Sequence, residues 1–219
     1  MNLKLNFGKD KNNKDILIDL QKEHLHTIFM AGATGTGKSI LHYYLYNQLM
    51  KNNTSDELGF IFMDMTQVDF NTWNKSYLYL PVITDQDYAL NALELLANQD
   101  KFNKKIFVYI EECDMFLVGA DRFINAWKKI HNKRNLHIVF STSRPSPDIF
   151  TEKLKQNTDI KIAFNLSSER DSQTVLDKSI AENFTLHGEK IIVYKNREII
   201  TSPLDIKTVD SINKLYETS

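Results

Sequence analysis

Short apolar runs rich in β-branched and aromatic residues recur along the chain. Each run is nearly continuous rather than alternating, which is typical of a strand covered on both faces in a parallel sheet. The runs are Thr27–Met30, Phe60–Met63, Ile106–Ile110, His137–Phe140 and Ile160–Phe164, followed by the pair Ile191–Tyr194 and Glu198–Ile200. The pattern therefore predicts a central, mostly parallel sheet.

Segments with apolar residues at helical spacing separate these runs. The predicted helices are Ser39–Lys51, Asp87–Asn98, Phe123–Ile130 and Ile149–Leu154. Because strands and helices alternate, we predict an α/β protein with helices flanking the sheet. We expect one domain over residues 1–219. Residues 1–24 form a small N-terminal β lead-in with strands Leu3–Phe7 and Ile16–Ile18, and residues 205–219 form a helical tail.

Composition narrows the class of protein only slightly. Charged residues make up 25% and apolar residues 42% of the chain, and no apolar run approaches the ~20 residues that span a bilayer. Cys113 is the single cysteine, which excludes a disulfide framework and a Cys-rich zinc site. We therefore expect a cytoplasmic protein without a membrane anchor. The net charge of −1 gives no overall attraction to nucleic acid, so any DNA contact needs a local basic surface.

Residues Gly32–Ser39 carry the pattern G-x-x-x-x-G-K-S of a phosphate-binding loop. The loop falls between a predicted strand and a predicted helix, so the helix N-terminus adds partial positive charge facing the phosphates. We expect Lys38 to reach the β- and γ-phosphates and Ser39 to bind Mg²⁺. The predicted nucleotide-binding set is Gly32, Ala33, Thr34, Gly35, Thr36, Gly37, Lys38, Ser39 and Ile40. A dinucleotide-binding turn is excluded, because the third glycine of that fingerprint is replaced by Ile40.

Two carboxylates end the strand Ile106–Ile110. We predict that Glu111 binds the metal, directly or through water, and that Glu112 is the general base for an attacking water. The alternative is that both glutamates only solvate a strand end. The strand His137–Phe140 also ends in polar residues, of which Thr142 and Ser143 are candidates for sensing the γ-phosphate.

A run of cations precedes the strand His137–Phe140. Arg134 or Lys133 is the candidate for an arginine finger that reaches the γ-phosphate of a neighbouring subunit. The alternative is a solvated helix face, which is the commoner meaning of a charge run. Both interpretations stay open at this stage.

Several segments together resemble the motor domain of the FtsK/SpoIIIE-type DNA translocases, within the FtsK–HerA group of ring ATPases. The phosphate loop is shared by many enzymes, but two later segments are more specific. The similar segments are Gly8–Asp10, Asp19–Leu20, Ala31–Ser39, Pro81–Asp85, Asn91–Leu93, Leu136–Ser146, and the set Ile162–Phe164, Ser167–Ser168 and Asp171–Asp177.

The resemblance implies a RecA-like P-loop NTPase that uses ATP and Mg²⁺. An extra strand between the loop strand and the acidic strand is expected, and Phe60–Met63 would supply it. A hexameric ring is also implied, with ATP between subunits and double-stranded DNA, bound without sequence preference, in the channel. The stretch that matches a channel loop contains Lys153, Lys155 and Asn157, which are the candidate DNA contacts.

Some positions depart from the family pattern. Glu111 replaces the usual Asp, Ser143 the usual Gln and Gln173 a usual Arg, while Asn132 stands where the Arg finger is expected. Neither the membrane anchor nor the winged-helix reader of the large chromosome translocases is recognisable. We therefore expect a stand-alone motor of a mobile element, of conjugation or of genome packaging, whose protein partner is a relaxase, a capsid or a secretion component.

Two other functions are compatible with a phosphate loop. A monomeric GTPase or small-molecule kinase is disfavoured, since Asn13-Lys14-Asp15 lacks the spacer of the N-K-x-D base reader and Asp56–Gly59 precedes a strand rather than following one. A nucleotide-gated assembly factor, which forms a ring to dock a protein without pumping DNA, stays open because of the altered sensor and finger positions.

Overall fold

A seven-stranded sheet forms the centre of the protein. The structure is a computed structural model that describes residues 1–67, 75–117, 120–130, 133–148, 150–205 and 207–211. In sheet order the strands are β4 (Leu58–Asp64), β5 (Lys105–Glu111), β6 (Leu136–Thr142), β3 (Thr27–Ala31), β7 (Ile160–Ala163), β8 (Lys190–Tyr194) and β9 (Arg197–Thr201). The first five are parallel, and β8 and β9 are antiparallel additions at one edge. The predicted α/β fold is therefore confirmed.

The N-terminal lead-in forms a separate two-stranded antiparallel sheet, as expected. Its strands are β1 (Lys4–Lys9) and β2 (Asp15–Asp19). This sheet meets the edge of the main sheet through a bridge between Asp10 and Thr201 and a hydrogen bond of 2.9 Å from the Ser202 amide to the Lys9 carbonyl. The lead-in thus extends the core on one side.

The parallel strands are buried on both faces, which explains their continuous apolar runs. Every residue of β3, β4 and β6 is buried. Alternate positions belong to different apolar clusters, with Phe29 and Val108 in one cluster and Met30 and Tyr109 in the other. The period of two along a strand sends neighbours to opposite faces, so each face needs its own cover.

Helices supply that cover. The helices are α1 (Lys38–Asn52), α2 (Gln86–Asn98), α3 (Ala120–Ile130), α4 (Glu152–Gln156) and α5 (Glu169–Leu176). Helix α1 packs with the N-terminal sheet on one face, and α2, α3 and α5 pack on the other. Within the described residues, none of the helices combines the length and the apolar character that crossing a bilayer requires.

Two features of the fold differ from the expectations. Phe60–Met63 does fall between the loop strand and the acidic strand along the chain, but in the sheet it belongs to the edge strand β4, and β6 lies between β3 and β5. Helix α5 was not predicted, because its only buried apolar residues are Val175 and Leu176. The predicted helix 149–154 begins at a residue outside the described residues. Residues 206 and 212–219 of the predicted helical tail also lie outside them.

Candidate functional site

The phosphate loop joins the carboxyl end of β3 to the start of α1. Gly35 and Gly37 have φ values of 79° and 110°, a region that favours glycine, so the loop needs both residues to turn. Gly32 is required for space, because a Cβ there would lie 2.6 Å from the Cβ of Phe164. The Thr36 amide and hydroxyl both donate to the Ala33 carbonyl, at 3.2 Å and 2.7 Å, which closes the turn.

Neighbouring segments hold this loop in place. The Gly32 amide donates to the Thr142 carbonyl at 3.3 Å, and the Ala33 amide donates to the Asn165 carbonyl at 2.9 Å. The Gly188 amide donates to the Thr36 carbonyl at 3.1 Å. The loop is therefore tied to the ends of β6 and β7 and to the segment before β8.

Lys38 lies across the loop. Its side chain is 5% exposed, and its ammonium group donates to the Gly32 carbonyl at 2.8 Å. Thr34 and Gly35 are exposed at the tip, and Ser39 and Ile40 are partly buried in the first turn of α1. The first amides of a helix have no partner within the helix, so this turn presents donors to an anion.

Glu111, at the end of β5, is a buried carboxylate held by two neighbours. Its Oε2 accepts a hydrogen bond of 2.7 Å from the Ser141 hydroxyl and lies 3.2 Å from Nδ1 of His42. The two groups form an ion pair when the imidazole is protonated. Burial raises the pKa of Glu111, but His42, Ser141 and the charge of Lys38 outweigh it, so the pKa is lowered overall. The structure thus favours a charged carboxylate here.

Glu112 points to a different set of donors. Its backbone has a φ of 48°, and its Oε2 accepts hydrogen bonds from the amide of Ser143 at 2.7 Å and from its hydroxyl at 3.0 Å. Burial raises the pKa of Glu112, and this effect outweighs the Ser143 hydrogen bonds and the charge of Lys38, which lower it. The pKa of Glu112 is therefore raised overall. A carboxylate with a raised pKa is a stronger base, which suits the predicted role.

The two sensor candidates have separate surroundings. Ser143 holds Glu112, as described above. Thr142 is fully buried, and its hydroxyl donates to Oδ1 of Asp114 at 3.0 Å and accepts from the Arg144 amide at 3.0 Å. Ser143 is therefore next to the predicted base, whereas Thr142 braces the turn that follows β6.

The residues present suit a nucleoside triphosphate with Mg²⁺. Three observations support this fit: the glycine turn that a Cβ at position 32 would fill, the buried Lys38, and the buried Glu111 carboxylate, whose pKa is lowered in part by the charge of Lys38. The described residues contain no group of three or more His, Cys, Asp or Glu that could hold a metal by itself. Mg²⁺ is usually bound by one or two carboxylates together with phosphates and water.

The finger candidates lie at the opposite edge of the sheet. Arg134 is exposed just before β6, and its carbonyl accepts a hydrogen bond of 2.5 Å from Lys105 at the start of β5. The seven residues of β6 separate it from Thr142, a span of about 20 Å. Lys133 donates to the Gln99 carbonyl at 2.6 Å. Neither side chain belongs to the site of its own chain, and Asn132 lies outside the described residues.

The DNA candidates near α4 are not equivalent. Lys153 is exposed, and the Asn157 side chain donates to the Lys153 carbonyl at 2.7 Å. Lys155 is only 8% exposed, and its ammonium group pairs with Asp177 at 2.5 Å and with Glu152 at 3.7 Å. Lys155 also lines a cavity of about 500 Å³ between α4 and α5, away from the phosphate loop. Its charge is already neutralised, which makes it the weakest of the three candidates.

Sequence reasoning missed four polar residues of this edge. His42 and Ser141 contact Glu111, Asp114 contacts Thr142, and Asp64 ends β4 as a fully buried acid. His42 carried one signal, since it lies one helical turn after Lys38 and so faces the same way. The signal for Asp64 was an acid directly after the run Phe60–Met63.

Known proteins resemble the chain over most of its length. A family model described as the FtsK/SpoIIIE family matches residues 1–183. The DNA translocase FtsK of Leptospira interrogans (serogroup Icterohaemorrhagiae, serovar copenhageni) is 28% identical over 230 residues, covering 89% of this chain and 24% of the relative. The DNA translocase SpoIIIE of Bacillus subtilis is 24% identical over 229 residues, covering 87% and 29%. The chain spans roughly a quarter of the length of these relatives.

Solved structures share the fold. The pCW3 conjugation coupling protein TcpA, in its monomer form with ATPgS, has a TM-score of 0.79 at 18% identity, covering 100% of this chain and 71% of that one. The genome packaging NTPase B204 from Sulfolobus turreted icosahedral virus 2, in complex with AMPPCP, has a TM-score of 0.59 at 16% identity, covering 83% and 98%. These similarities establish a RecA-like P-loop ATPase fold.

Proposed function

We propose, since this chain belongs to the FtsK/SpoIIIE family, that it hydrolyses ATP and uses the hydrolysis to move double-stranded DNA. The observation that carries the proposal is the meeting of three strand ends at one edge of the sheet. The phosphate loop follows β3, Glu111 and Glu112 end β5, and Ser143 follows β6. Curated relatives named DNA translocases support the choice of DNA as the substrate.

Each residue has a definite task in this proposal. The amides of Gly35–Ser39 and the ammonium group of Lys38 bind the phosphates, while Ser39 and Glu111 hold Mg²⁺. Bound Mg²⁺ supplies positive charge that stabilises the phosphate oxygens. Glu112 accepts a proton from the water that attacks the γ-phosphate, and Ser143 keeps its carboxylate oriented. Thr142, through its contacts with Asp114 and the loop, links the γ-phosphate to the turn after β6.

We further propose a hexameric ring in which each site is completed by the next subunit. Arg134 supports this, because it is exposed and about 20 Å of strand separates it from its own phosphate loop. A cation so placed contacts a γ-phosphate only in another subunit. Lys153 and Asn157 are the proposed channel contacts, with Lys155 contributing only if it leaves Asp177.

The biological setting we favour is the transfer or packaging of a mobile or viral genome. Its support is the shared fold with a conjugation coupling protein and with a genome packaging NTPase. A relaxase, capsid or secretion component is the partner expected in such a system.

One experiment tests the function. ATPase activity of the purified chain is measured with and without linear double-stranded DNA, beside the mass of the ATP-bound particle. We expect activity that rises severalfold with DNA and falls to background in Lys38→Ala, and a particle of six subunits. Lys153→Ala should lower the DNA stimulation while leaving the DNA-free rate unchanged.

The possible outcomes separate the hypotheses. A ring whose ATPase is indifferent to DNA would support the nucleotide-gated assembly factor instead. Activity from a monomer would contradict the shared site, and normal activity in Lys38→Ala would contradict the assignment of the loop.

A further inference from the structure

A buried lysine beside the phosphate loop has no assigned task. Lys190, the first residue of β8, is 1% exposed. Within the part of the chain that the structure describes, its ammonium group makes no hydrogen bond or ion pair, and it lies over the ring of Phe164, 5.7 Å from the centroid, as in a cation–π contact. Burial lowers the pKa of Lys190 to about 8, which records the cost of this position. A buried polar group without a partner calls for an explanation.

Lys190 lines a small cavity that adjoins the nucleotide site. The cavity has a volume of about 60 Å³. Its walls come from the first turns of α1, from the residue after β7, from the segment before β8 and from the segment after β9. The residues that matter most are Gly37, Ile40, Phe164, Gly188 and Leu204. Apart from the ammonium group and His187, the lining residues are apolar or glycine.

The cavity is continuous with the phosphate loop. Gly37 belongs to the loop and also to the cavity wall. Gly188 donates from its amide to Thr36 of the loop, and a Cβ on Gly37 would lie 3.3 Å from the Cα of Gly188. Ile40 is the residue that follows the predicted Mg²⁺ ligand Ser39. A nucleotide whose phosphates lie over the loop therefore has its base within reach of this cavity.

We infer that this cavity is the subsite for the nucleobase and that Lys190 donates a hydrogen bond to an acceptor atom on the edge of the base. The inference rests on the proposed binding of a nucleoside triphosphate at the loop. A mostly apolar cavity with a buried lysine donor is complementary to the edge of a purine, which has apolar faces and acceptor atoms in its plane. Because the cavity is small, it receives the edge of the ring rather than a whole nucleoside.

The test separates contacts to the base from contacts to the phosphates. Binding of MgATP and of magnesium tripolyphosphate, which has no base, is measured by calorimetry for the wild type and for Lys190→Met. Methionine keeps the length of the side chain and suits an apolar site. We expect MgATP to bind about tenfold more weakly to the variant and tripolyphosphate to bind equally well to both. The matched control is Lys161→Met on β7, a half-buried lysine outside the cavity, which should bind both ligands as the wild type does.

Each other outcome has a defined meaning. An equal loss for both ligands would assign Lys190 to the phosphates and overturn the subsite, and so would unchanged MgATP binding. Failure of the wild type to bind either ligand would instead contradict the proposed function itself. Photolabelling of the wild type with 8-azido-ATP needs no variant. We expect label in residues 186–204, and label confined to other segments would refute the inference.

Discussion

The pairing of His42 with Glu111 leads to a quantitative prediction about stability. His42 is 1% exposed, and its ring packs beside the rings of Tyr46 and Tyr109 at centroid distances of 5.9 Å and 6.0 Å. His42→Leu keeps the apolar packing but removes the ring nitrogen 3.2 Å from the Glu111 carboxylate. The carboxylate then stays buried with the Ser141 hydroxyl and the more distant charge of Lys38.

The separation sets the size of the effect. Two unit charges 3.2 Å apart attract each other by about 5 kcal/mol at an effective dielectric constant of about 20. A neutral imidazole N–H would contribute less, about 1 to 3 kcal/mol, which is the cost of leaving a buried acceptor short of a donor. We therefore expect His42→Leu to lower the free energy of unfolding by roughly 3 kcal/mol, which lies between these limits and agrees with broken buried pairs elsewhere.

Urea unfolding and thermal melts in EDTA, without nucleotide, measure this loss. For a chain of this length, 3 kcal/mol corresponds to a fall in Tm of roughly 6 to 12 °C. His42→Asn is the matched control, because its side-chain amide places a donor near the position of Nδ1, and it should recover part of the loss. A His42→Leu variant within about 0.5 kcal/mol of the wild type would refute the reasoning.

The pH dependence of the difference gives a second measurement. The pKa of Glu111 is lowered in the folded protein, so the stability that its charge contributes is present above the unfolded pKa and is lost as the pH falls. The gap between the wild type and His42→Leu should therefore be full at pH 7 and shrink below the ordinary glutamate value near 4.5. A gap that stays constant down to pH 3 would mean that packing, and not the carboxylate, explains the loss.

Two further predictions concern the base and the loop. Glu112→Gln should bind ATP normally but lower kcat at least about 100-fold, because a general base contributes about 10² to 10⁴ in rate; wild-type turnover in a steady-state ATPase assay would rule Glu112 out. Gly32→Ala should cost about 1 to 3 kcal/mol of stability and weaken ATP binding, since its Cβ would lie 2.6 Å from Phe164. Gly59→Ala, at the start of β4, should leave ATP binding unchanged in the same titration.

Much of the fold was predictable because the strands are buried on both faces. That burial produces continuous apolar runs, and the predicted runs coincide with seven strands of the sheet to within about two residues at each end. Helix α5 was not predicted because it packs against the sheet with few apolar residues. Its capping signal was present, since Ser168 accepts a hydrogen bond of 3.1 Å from the Asp171 amide.

The candidate site was predictable only where it is local in sequence. The phosphate loop and the pair Glu111 and Glu112 are contiguous motifs whose chemistry follows from their spacing. The partners of that pair come from other elements, with His42 on α1 and Ser141 and Ser143 on β6 and after it. They are neighbours because β6 lies between β3 and β5 in the sheet. The order of parallel strands in a sheet cannot be predicted from the hydrophobic pattern of the sequence.

The same strand order separates two sets of polar groups. The phosphate loop and both glutamates lie at the carboxyl edge, whereas Arg134 and Asn157 lie at the amino edge. Strand β3 runs between the two edges, and at the amino edge Asp159, just before β7, accepts hydrogen bonds from the amide and the hydroxyl of Thr27 at the start of β3. Because β3 ends in the loop, it connects the loop, through these hydrogen bonds of Thr27, with the segment that contains Asp159 and Asn157. A single chain therefore has its proposed ATP site at one edge and its proposed contacts with DNA and with the next subunit at the other, and we expect the central strands to couple them.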